Sequence, residues 1–470
     1  MRPVVVFNRL GVIVDTISGS EVNNRQEVRY IPREQGDVKV NEVYTAAGDW
    51  FRDSCHAEDE ESDAFLDAVI CGMGWTETRL DYSDNPDGDP LIERVDPLEM
   101  VIDSAARRSN CIDARRMFRM KDMRRSEARE LFPDADPTVL DAPWARNEDR
   151  KKPNNTDTAP YSSEQKRDVR DDDIVTIVHA QWIELRDAWR ILDPQSGEPL
   201  VDPTTKRSWF GEEPKELIAA IPEDMRAQIV VRFKRKVVMQ AFLGDEILDG
   251  PMPTLCEKFS WNCITGKRDR NKGTWYGIVR QMKDPQRWAN KWMSQTLHIM
   301  NSNAKGGIMA EGDAFADRRQ AEETFARPEA ITWTNPGALS AGKIQPKPVS
   351  PFPQGLFNMM EFAISSIRDV SGVNLEMLGS REANQPGVLE YQRRQSAMTV
   401  LARMFDSLRR YRKRQGELML GIIDEYLSDG RLIRIVGDEG AKFVPLMRAA
   451  GVREFDIIVD ESSSSPNQKE

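Results

Sequence analysis

The residues best suited to chemistry are few in this chain and poorly spaced for it. Five cysteines are scattered without a CxxC pair, and the three histidines are His56, His179 and His298. A metal site needs several such ligands at short spacing, and nucleophilic catalysis needs a histidine beside a serine or cysteine and an acid. The Thr265-Gly266-Lys267 stretch lacks the upstream glycine and the Ser/Thr of a phosphate-binding loop. We therefore expect no catalytic, cofactor-binding or metal-binding residues, and no enzyme.

A second chemical candidate is the acidic run Asp84–Asp89, which looks like a calcium loop. A calcium loop places a ligand at its first position and a bidentate Glu at its twelfth, and this chain has Ser83 and Arg94 there. The sequence therefore predicts an ordinary turn, flanked by strands at Thr76–Tyr82 and Leu91–Val95.

A band of basic residues near the C-terminal end is the third candidate. The chain carries a net charge of −11, yet this band contains a single acid, Asp406. Its basic residues are Arg393, Arg394, Arg403, Arg409, Arg410, Arg412, Lys413 and Arg414. Two interpretations are open: pairing with acidic faces of a neighbouring subunit or domain, or contact with DNA phosphates along a channel.

Bulk composition favours a folded protein of two to four sub-domains. The chain has 470 residues, of which 39% are hydrophobic and 30% charged. Its apolar runs are too short to cross a membrane, and its first residues do not form a secretory signal. The cysteine spacing is typical of reduced, buried or half-buried thiols.

The elements that must position these residues indicate the α+β class. Alternating and helical periodicities predict the following elements in the first half of the chain. They are a strand at Pro3–Phe7, helices at Val43–Arg52, Glu58–Cys71 and Pro214–Ile221, and strands at Ile174–Leu185, Ala188–Leu192 and Ile229–Leu243. The polar, charge-dense stretch from 147 to 173 predicts a flexible loop between two folded parts.

The second half is dominated by long helical patterns. Asp284 and Pro285 predict a helix start, with the helix running to Asn303. A Gly/Pro-rich segment then carries a short helix at Asp317–Phe325 and strands at Ile331–Thr334 and Lys343–Gln345. A helix at Leu356–Val370, a loop at Gly372–Gly387 and a helix at Val388–Ser428, ended by Gly430, complete the pattern. At 1.5 Å per residue the last helix is about 60 Å long, so it must span sub-domains or pack against other copies.

This order of elements, together with several local sequences, resembles the portal proteins of tailed bacteriophages, in particular those of short-tailed phages. The local sequences are Phe65–Trp75, Val95–Asp103, Ile112–Arg115, Trp275–Arg280, Asp284–Lys291, Ser371–Gly379 and Pro386–Gln395. Relatives usually have more residues before the position of Met1 and further helices after that of Glu470. We therefore expect either a shortened or a partial chain, and the resemblance leaves the crown unassigned.

The resemblance implies a portal fold with a wing, a helical stem, an α/β clip and a long helix between tunnel loop and crown. It assigns 1–146 and 174–272 to the α/β and β-rich parts of the wing, separated by the loop 147–173. It assigns 273–303 and 354–371 to the stem helices, 304–353 to the clip, 372–387 to the tunnel loop, 388–430 to the long helix, and 431–470 to wing strands and a C-terminal tail.

The resemblance also implies a function. A ring of about twelve subunits would form a channel at one capsid vertex for DNA packaging, retention and ejection. The implied partners are double-stranded DNA without sequence specificity, the large terminase subunit, the major capsid and scaffolding proteins, and a head–tail adaptor, with no membrane. The protein would assemble in the host bacterial cytoplasm and remain in the virion.

The resemblance places functional residues in three groups. The tunnel-loop group facing DNA comprises Arg381, Glu382, Asn384, Gln385, Arg393 and Arg394. The subunit-interface group comprises Trp288, Trp292, Met293, Arg403, Arg409 and Arg412. The clip group for terminase docking comprises Arg318, Arg319, Glu322 and Arg327. We expect replacement of Arg381 and Gln385 to lower DNA retention more than ring assembly.

Two other functions remain open from the residues alone. The chain could be a soluble α/β protein that dimerises through its long helix, although Arg409–Arg414 interrupts the apolar heptads that a coiled coil needs. It could also be a DNA-binding structural protein that lays the basic helix in a DNA groove. The negative net charge of the chain counts against this function. The mass of the assembled particle distinguishes a ring, a dimer and a DNA-binding monomer.

Overall fold

A computed structural model describes most of the chain, in two compact units. The described residues are 4–23, 27–32, 38–86, 88–136, 174–192, 199–200, 209–210, 215, 218, 230–244, 246–304, 307–325, 329–346, 354–373, 387–425, 432–437, 440–445 and 455–460. Unit 1 comprises Met1–Ile13 and Val279–Ala397, and unit 2 comprises Val14–Ile278 and Met398–Glu470.

Three helices and a strand come first. They are α1 (Leu10–Asn23), β1 (Glu27–Pro32), α2 (Val38–Ser54) and α3 (Ala57–Ile70). The two predicted helices are confirmed as α2 and α3. The acids Glu58, Asp59 and Glu60 occupy the first turn of α3, where negative charge interacts favourably with the helix dipole. Helix α1 was not predicted, because Gly and β-branched residues are frequent in it and favour helix only weakly.

A hairpin follows α3. Its strands are β2 (Met73–Asp81) and β3 (Asp89–Val95), which pair antiparallel as the sequence predicts. The strand starts close to α3, since a Cβ at Gly74 would lie 1.7 Å from the carbonyl oxygen of Ala64. Only glycine permits this approach, so Gly74 fixes the packing of the helix against the sheet.

The larger sheet of unit 2 is built on long strands. The next elements are β4 (Met100–Ile102), β5 (Arg116–Arg124), α4 (Arg125–Leu131), β6 (Ile174–Leu192), β7 (Pro199–Leu200), β8 (Trp209–Phe210), β9 (Val230–Leu243) and β10 (Ile247–Pro253). The strand order is β10-β9-β6-β5-β4, with β7 and β8 also paired to β6. The two strands predicted between 174 and 192 are therefore one strand. Arg186 and Asp187, read as a break, stay paired with Arg235 and Lys234 of β9.

Three short strands close this part of unit 2. They are β11 (Trp261–Thr265), β12 (Lys267–Arg268) and β13 (Trp275–Tyr276). Strand β11 joins β2 and β3 in a three-stranded sheet, and β12 pairs with β13 in a small hairpin. Large apolar side chains between the two sheets, among them Trp75, Met117, Val238 and Trp261, form one core of unit 2.

The helices of unit 1 lie on either side of a small insertion. In chain order the elements are α5 (Val279–Ala304), β14 (Ile308–Ala310), α6 (Arg318–Phe325), β15 (Ile344–Pro346) and α7 (Gln354–Ser371). Helix α5 packs against α7, and β14 pairs with β15. The predicted start of α5 at Asp284 was wrong: the helix begins at Val279 and contains Pro285. The predicted strand at 331–334 is reduced to one bridge between Phe315 and Thr334.

The first residues of the chain bind along α5 rather than in a sheet. Residues 4–9 are extended without regular secondary structure, so the predicted strand at Pro3–Phe7 was wrong. The N–H groups of Val5, Phe7 and Arg9 donate to the side chains of Ser294, Asn290 and Gln286, at 3.0, 3.2 and 3.3 Å. Alternate residues of the segment thus match successive turns of the helix, which explains the strand-like alternation.

The last helix, α8 (Gly387–Glu425), is 39 residues long and confirms the predicted long helix. The strands β16 (Leu432–Gly437), β17 (Gly440–Pro445) and β18 (Phe455–Asp460) follow it. Strand β18 pairs antiparallel with β1, and β16 pairs with β17. A second core of unit 2 joins α8 to α2 and the β2–β3 hairpin through Tyr44, Phe51, Leu80, Ile92 and Met419.

All five cysteines are free thiols. Cys71, directly after α3, is exposed, and Cys55, Cys111, Cys256 and Cys263 are buried. Among the described residues, no helix is long and apolar enough to cross a membrane. The predicted loop at 147–173 lies outside the described residues, and so do the predicted helix end at Gly430 and most of the predicted helix at 214–221.

Candidate functional site

The part of α8 within unit 2 has one continuous buried face. Its buried apolar side chains recur at three and four residues, as an amphipathic helix requires, and include Leu401, Met404, Leu408, Tyr411 and Leu418. Of the basic residues in this part of the helix, Arg412 is buried and Arg414 half-buried, while Arg403, Arg409, Arg410 and Lys413 are exposed.

Arg412 lies on the buried face, in a cluster of four charged side chains. Only 1% of Arg412 is exposed. Its Nη2 lies 2.7 Å from Glu21 Oε1 and its Nε 3.3 Å from Glu61 Oε2. Arg52 makes a second pair with Glu61, at 2.7 and 3.0 Å. We call Glu21, Arg52, Glu61 and Arg412 the ion-pair cluster; it joins α1, α2, α3 and α8 inside unit 2.

The two arginines of the cluster keep the Glu61 carboxylate ionised. Burial alone would raise the pKa of Glu61, but the guanidinium groups of Arg52 and Arg412 outweigh it and lower that pKa. Burial raises the pKa of neighbouring Tyr411 well above its usual range, and Glu61 adds to the rise. The Tyr411 hydroxyl lies 2.7 Å from Thr76 Oγ1. The predicted role of Arg412 at a subunit interface does not fit this position, because the side chain is enclosed by its own chain.

A second polar network fixes α8 beside the small hairpin. Asn110 donates from Nδ2 to the carbonyl oxygens of Ser407 and Cys263, each at 2.8 Å. Thr265 N–H donates to Ser407 Oγ at 2.9 Å, and Arg414 donates to the Asn110 carbonyl at 3.0 Å. Asn110 adopts a left-handed conformation, with φ of 56°. The network holds α8, β11 and the 109–111 turn in one arrangement.

The same elements enclose an open cleft of about 900 Å³ within unit 2. The β12–β13 hairpin and its turn supply four cationic side chains, Lys267, Arg268, Arg270 and Lys272. The guanidinium of Arg268 donates to the Arg107 carbonyl at 2.6 Å and lies 5.6 Å from the centre of the Trp275 ring. This side of the cleft is therefore both charged and held in place.

The rest of the cleft lining comes from α8 and the 104–109 segment. They supply the cations Arg403, Arg410 and Arg107, and the carboxylate Asp406, which pairs with Arg410. We call this site, with its seven cations, the basic cleft. Burial lowers the pKa of Lys267, and the positive charge of Arg403 lowers it further.

Sequence reasoning identified only the α8 side of this site. The hairpin cations and Arg107 were missed, although the basic run from Lys267 to Lys272 is visible in the sequence. In the sequence, Lys267 was considered only as the lysine of an incomplete phosphate-binding loop motif. Arg409 is exposed and lies outside the lining of the cleft, and its predicted interface role, like that of Arg403, stays a prediction.

The aromatic residues of unit 1 lie on α5. The rings of Trp288 and Trp292 stack with centroids 5.8 Å apart, and the Lys291 ammonium lies 4.6 Å from the Trp288 centroid. Trp288 is 46% exposed, and Trp292 and Met293 are half-buried. These three predicted interface residues therefore share an accessible part of one helix.

Helix α7 carries apolar residues on two faces. Met360, Ala363 and Ile367 are buried at the spacing expected of the face that packs on α5. Large apolar side chains are also exposed around the rest of the helix. They are Phe357, Met359, Phe362 and Val370, exposed by 48%, 55%, 70% and 43%.

Three of the four predicted clip residues, Arg318, Arg319 and Glu322, lie on α6. Asp317 accepts the Arg319 N–H at 2.9 Å and so caps the helix. Arg318 donates to the Gly312 carbonyl, at 2.8 Å from Nη2, which ties its guanidinium to the local loop. Arg319 and Glu322 are exposed.

The remaining predicted site residues lie where the structure gives no side-chain detail. Arg327 and the tunnel-loop residues Arg381, Glu382, Asn384 and Gln385 are outside the described residues. Arg393 and Arg394 fall within α8, but their side chains are not described. Among the described residues no group of three or more His, Cys, Asp or Glu side chains could hold a metal ion.

Comparison with known proteins gives the class to which this mixed helix and sheet fold belongs. The family model described as Phage P22-like portal protein matches residues 1–470. The chain belongs to this family of phage portal proteins.

A similar individual protein is the portal protein of Helicobacter pylori bacteriophage KHP30. It is 20% identical to this chain over 432 residues, which are 92% of this chain and 60% of the relative. The chain thus spans about 60% of the length of the curated relative that it matches.

Proposed function

We propose that the chain is the subunit of a portal ring of about twelve copies, placed at one capsid vertex, through which double-stranded DNA is packaged, retained and ejected. The family membership supports the portal role. The observation that carries the ring is the exposed apolar surface of α5 and α7, because a subunit that works alone gains nothing from it.

The exposed surface of α7 is a cost to an isolated subunit. Phe357, Met359 and Phe362 lie within six residues on one helix and are about half to two-thirds exposed. Met359 and Phe362 are three residues apart and so are neighbours on the helix surface. Adjacent exposed apolar groups usually mark an interaction surface, since covering them returns about 25 cal/mol per Å². A ring of identical subunits covers such a surface on every copy at once.

The stacked pair on α5 supports the same assembly. Trp288 and Trp292 offer a flat, partly exposed aromatic surface. Duplex DNA presents no free base faces on which these rings could stack, so packing against a neighbouring stem helix suits them better.

We assign the portal regions to the chain as the resemblance implies. The seven-stranded and three-stranded sheets of unit 2 and the strands after 431 belong to the wing, α5 and α7 to the stem, and the α6 insertion to the clip. Residues 372–387 belong to the tunnel loop, and α8 is the helix that leads to the crown. The Arg381–Gln385 segment and the Arg393–Arg394 pair then face DNA, while the acidic total of the chain limits retention of the phosphate backbone.

The partners follow from these assignments. Arg319 and Glu322 on the exposed surface of α6 contribute to docking of the large terminase subunit, which supplies the force for packaging. The major capsid and scaffolding proteins contact the ring during assembly in the host cytoplasm, and the head–tail adaptor joins it in the virion.

The test is the mass of the assembled particle with and without the exposed α7 surface. We expect the unaltered chain to form a ring of about a dozen copies and Phe362→Gln to remain small. Because Phe362 is 70% exposed, its replacement leaves the folded subunit intact. The matched control is Leu98→Gln, equally exposed at 79% but outside the two stem helices.

Each other outcome has a clear meaning. A dimer from the unaltered chain would favour association through the long helix, and a monomer with DNA affinity would favour a DNA-binding structural protein. Rings formed equally well by Phe362→Gln would remove α7 from the subunit interface.

A further inference from the structure

We propose that the basic cleft of unit 2 is a phosphate-binding site whose ligand is a phosphate ester. The site lies entirely within unit 2. The inference therefore goes beyond the channel function and does not require a ring.

Charge is the first argument. Seven cations and one carboxylate line the cleft of a chain whose net charge is −11. The carboxylate, Asp406, is already engaged by Arg410 of the same helix. Among the described residues Arg403 has no acidic partner, so its charge is available to a ligand. Such an excess of one sign inside a concave surface concentrates counter-ions of the other sign.

The second argument is that the cations are held in place before a ligand arrives. Arg268 is fixed by the Arg107 carbonyl and the Trp275 ring, and its Nε is buried without a hydrogen-bond partner among the described residues. In the hairpin turn Asp269 Oδ1 accepts the N–H groups of Asn271 and Lys272, at 3.1 and 3.2 Å. Binding to a preformed site loses little conformational entropy.

The third argument is mutual repulsion. Lys267 and Arg403 both line the cleft, and the positive charge of the arginine lowers the pKa of the lysine, in addition to the larger effect of burial. An anion between the two groups would remove this repulsion and raise that pKa again.

The lining also distinguishes a phosphate from an acidic peptide. Besides the charged groups it consists mainly of hydroxyl, amide and glycine positions, including Ser104, Ser109 and Thr265. The one aromatic residue, Trp275, is stacked with Arg268. A peptide groove offers apolar pockets to side chains, whereas guanidinium, ammonium and hydroxyl donors match phosphate oxygens.

The binding test uses the full chain and three probes at several salt concentrations: inorganic phosphate, a 20-base-pair DNA duplex and polyglutamate. The altered protein is Arg403→Gln combined with Lys272→Gln, and the matched control is Arg409→Gln, an exposed arginine of α8 outside the cleft. We expect the double variant to bind at least about tenfold more weakly, and its plot of log affinity for duplex against log salt to be shallower by about two. The control should stay within about twofold.

The probes identify the source of the ligand. Binding of inorganic phosphate indicates a free phosphate or nucleotide, and binding of duplex alone indicates the nucleic-acid backbone; both support the site. Preferential binding of polyglutamate, binding of no probe, or equal losses in the double variant and the control would overturn the inference. The unfolding midpoint of each variant shows whether it is folded, and particle mass tests the ring separately.

Discussion

Two arginine environments lie within ten residues of each other on α8. Arg403 is exposed in the basic cleft, where it faces other cations. Arg412 is enclosed in the ion-pair cluster, where Glu21 and Glu61 neutralise it. One arginine is therefore available to a partner of the chain, and the other has already satisfied its charge within the fold.

The difference shows that a run of basic residues on a helix does not have one role. The helix supplies the cations at regular spacing, and other elements decide which of them receive a carboxylate. For Arg412 these elements are α1 and α3, about 390 and 350 positions earlier in the chain. Burying a charged group without such partners would cost too much free energy. A buried charge that is paired with opposite charges therefore indicates a structural role.

The largest effect on stability is expected when Arg412 is replaced. We expect Arg412→Met to lower the free energy of unfolding by about 3–5 kcal/mol, because Glu21 loses its paired guanidinium and Glu61 loses one of its two. Arg409→Met, three residues earlier and exposed, should change it by less than about 0.5 kcal/mol. Denaturant unfolding measures both, and equal effects would mean that Arg412 is not the structural member of the pair.

The hydroxyl beside the cluster gives a smaller effect. Tyr411→Phe keeps the ring but removes the partner of the buried Thr76 hydroxyl, 2.7 Å away. We expect a loss of about 1–3 kcal/mol in the free energy of unfolding. Adding Thr76→Val should recover part of it, because both polar groups are then absent. A double variant no more stable than Tyr411→Phe would contradict this pairing.

The pH dependence of stability tests another buried polar group of unit 2, His179. Burial lowers the pKa of His179 below its ordinary value, partly offset by Glu77 3.8 Å away and by Gln240. The unfolded chain then binds more protons than the folded one between the ordinary pKa and the lowered one. Stability contributed by neutral His179 is therefore lost as the pH falls through this window.

We expect this effect to be the smallest of the three. His179→Gln should lose less of its free energy of unfolding than the unaltered protein when the pH is lowered from 7 to 5. Each protein is referred to its own free energy of unfolding at pH 8, so that the different packing of imidazole and amide cancels. Parallel pH profiles would show that His179 does not contribute to the acid sensitivity.

The sequence predicted the elements with strong periodicity and failed where partners are distant. The β2–β3 hairpin, α3 and the 39-residue α8 were predicted because periodicity and turn residues are local signals. The start of α5 was misplaced because Pro285 indicates a first helical position, although six residues precede it in the helix. The segment near Val5 alternates like a strand but binds to the side chains of α5.

The candidate site was predicted only in part, again because some of its residues are distant in the sequence. The basic band on α8 was visible as a local excess of charge, but its partners Arg268 and Arg107 come from segments that only the tertiary fold brings together. Nor could the different environments of Arg403 and Arg412 be predicted, since each arginine has an apolar neighbour in the sequence and a similar helical spacing. Burial, rather than residue type, distinguishes them.

The single exposed thiol offers a practical route to the assembled particle. Burial and the carboxylates of Asp67 and Asp96 raise the pKa of Cys71, so a maleimide dye should attach slowly at neutral pH and faster in mild alkali. The other four thiols are shielded. One fluorophore per subunit, without any engineered cysteine, would allow copies to be counted by stepwise photobleaching.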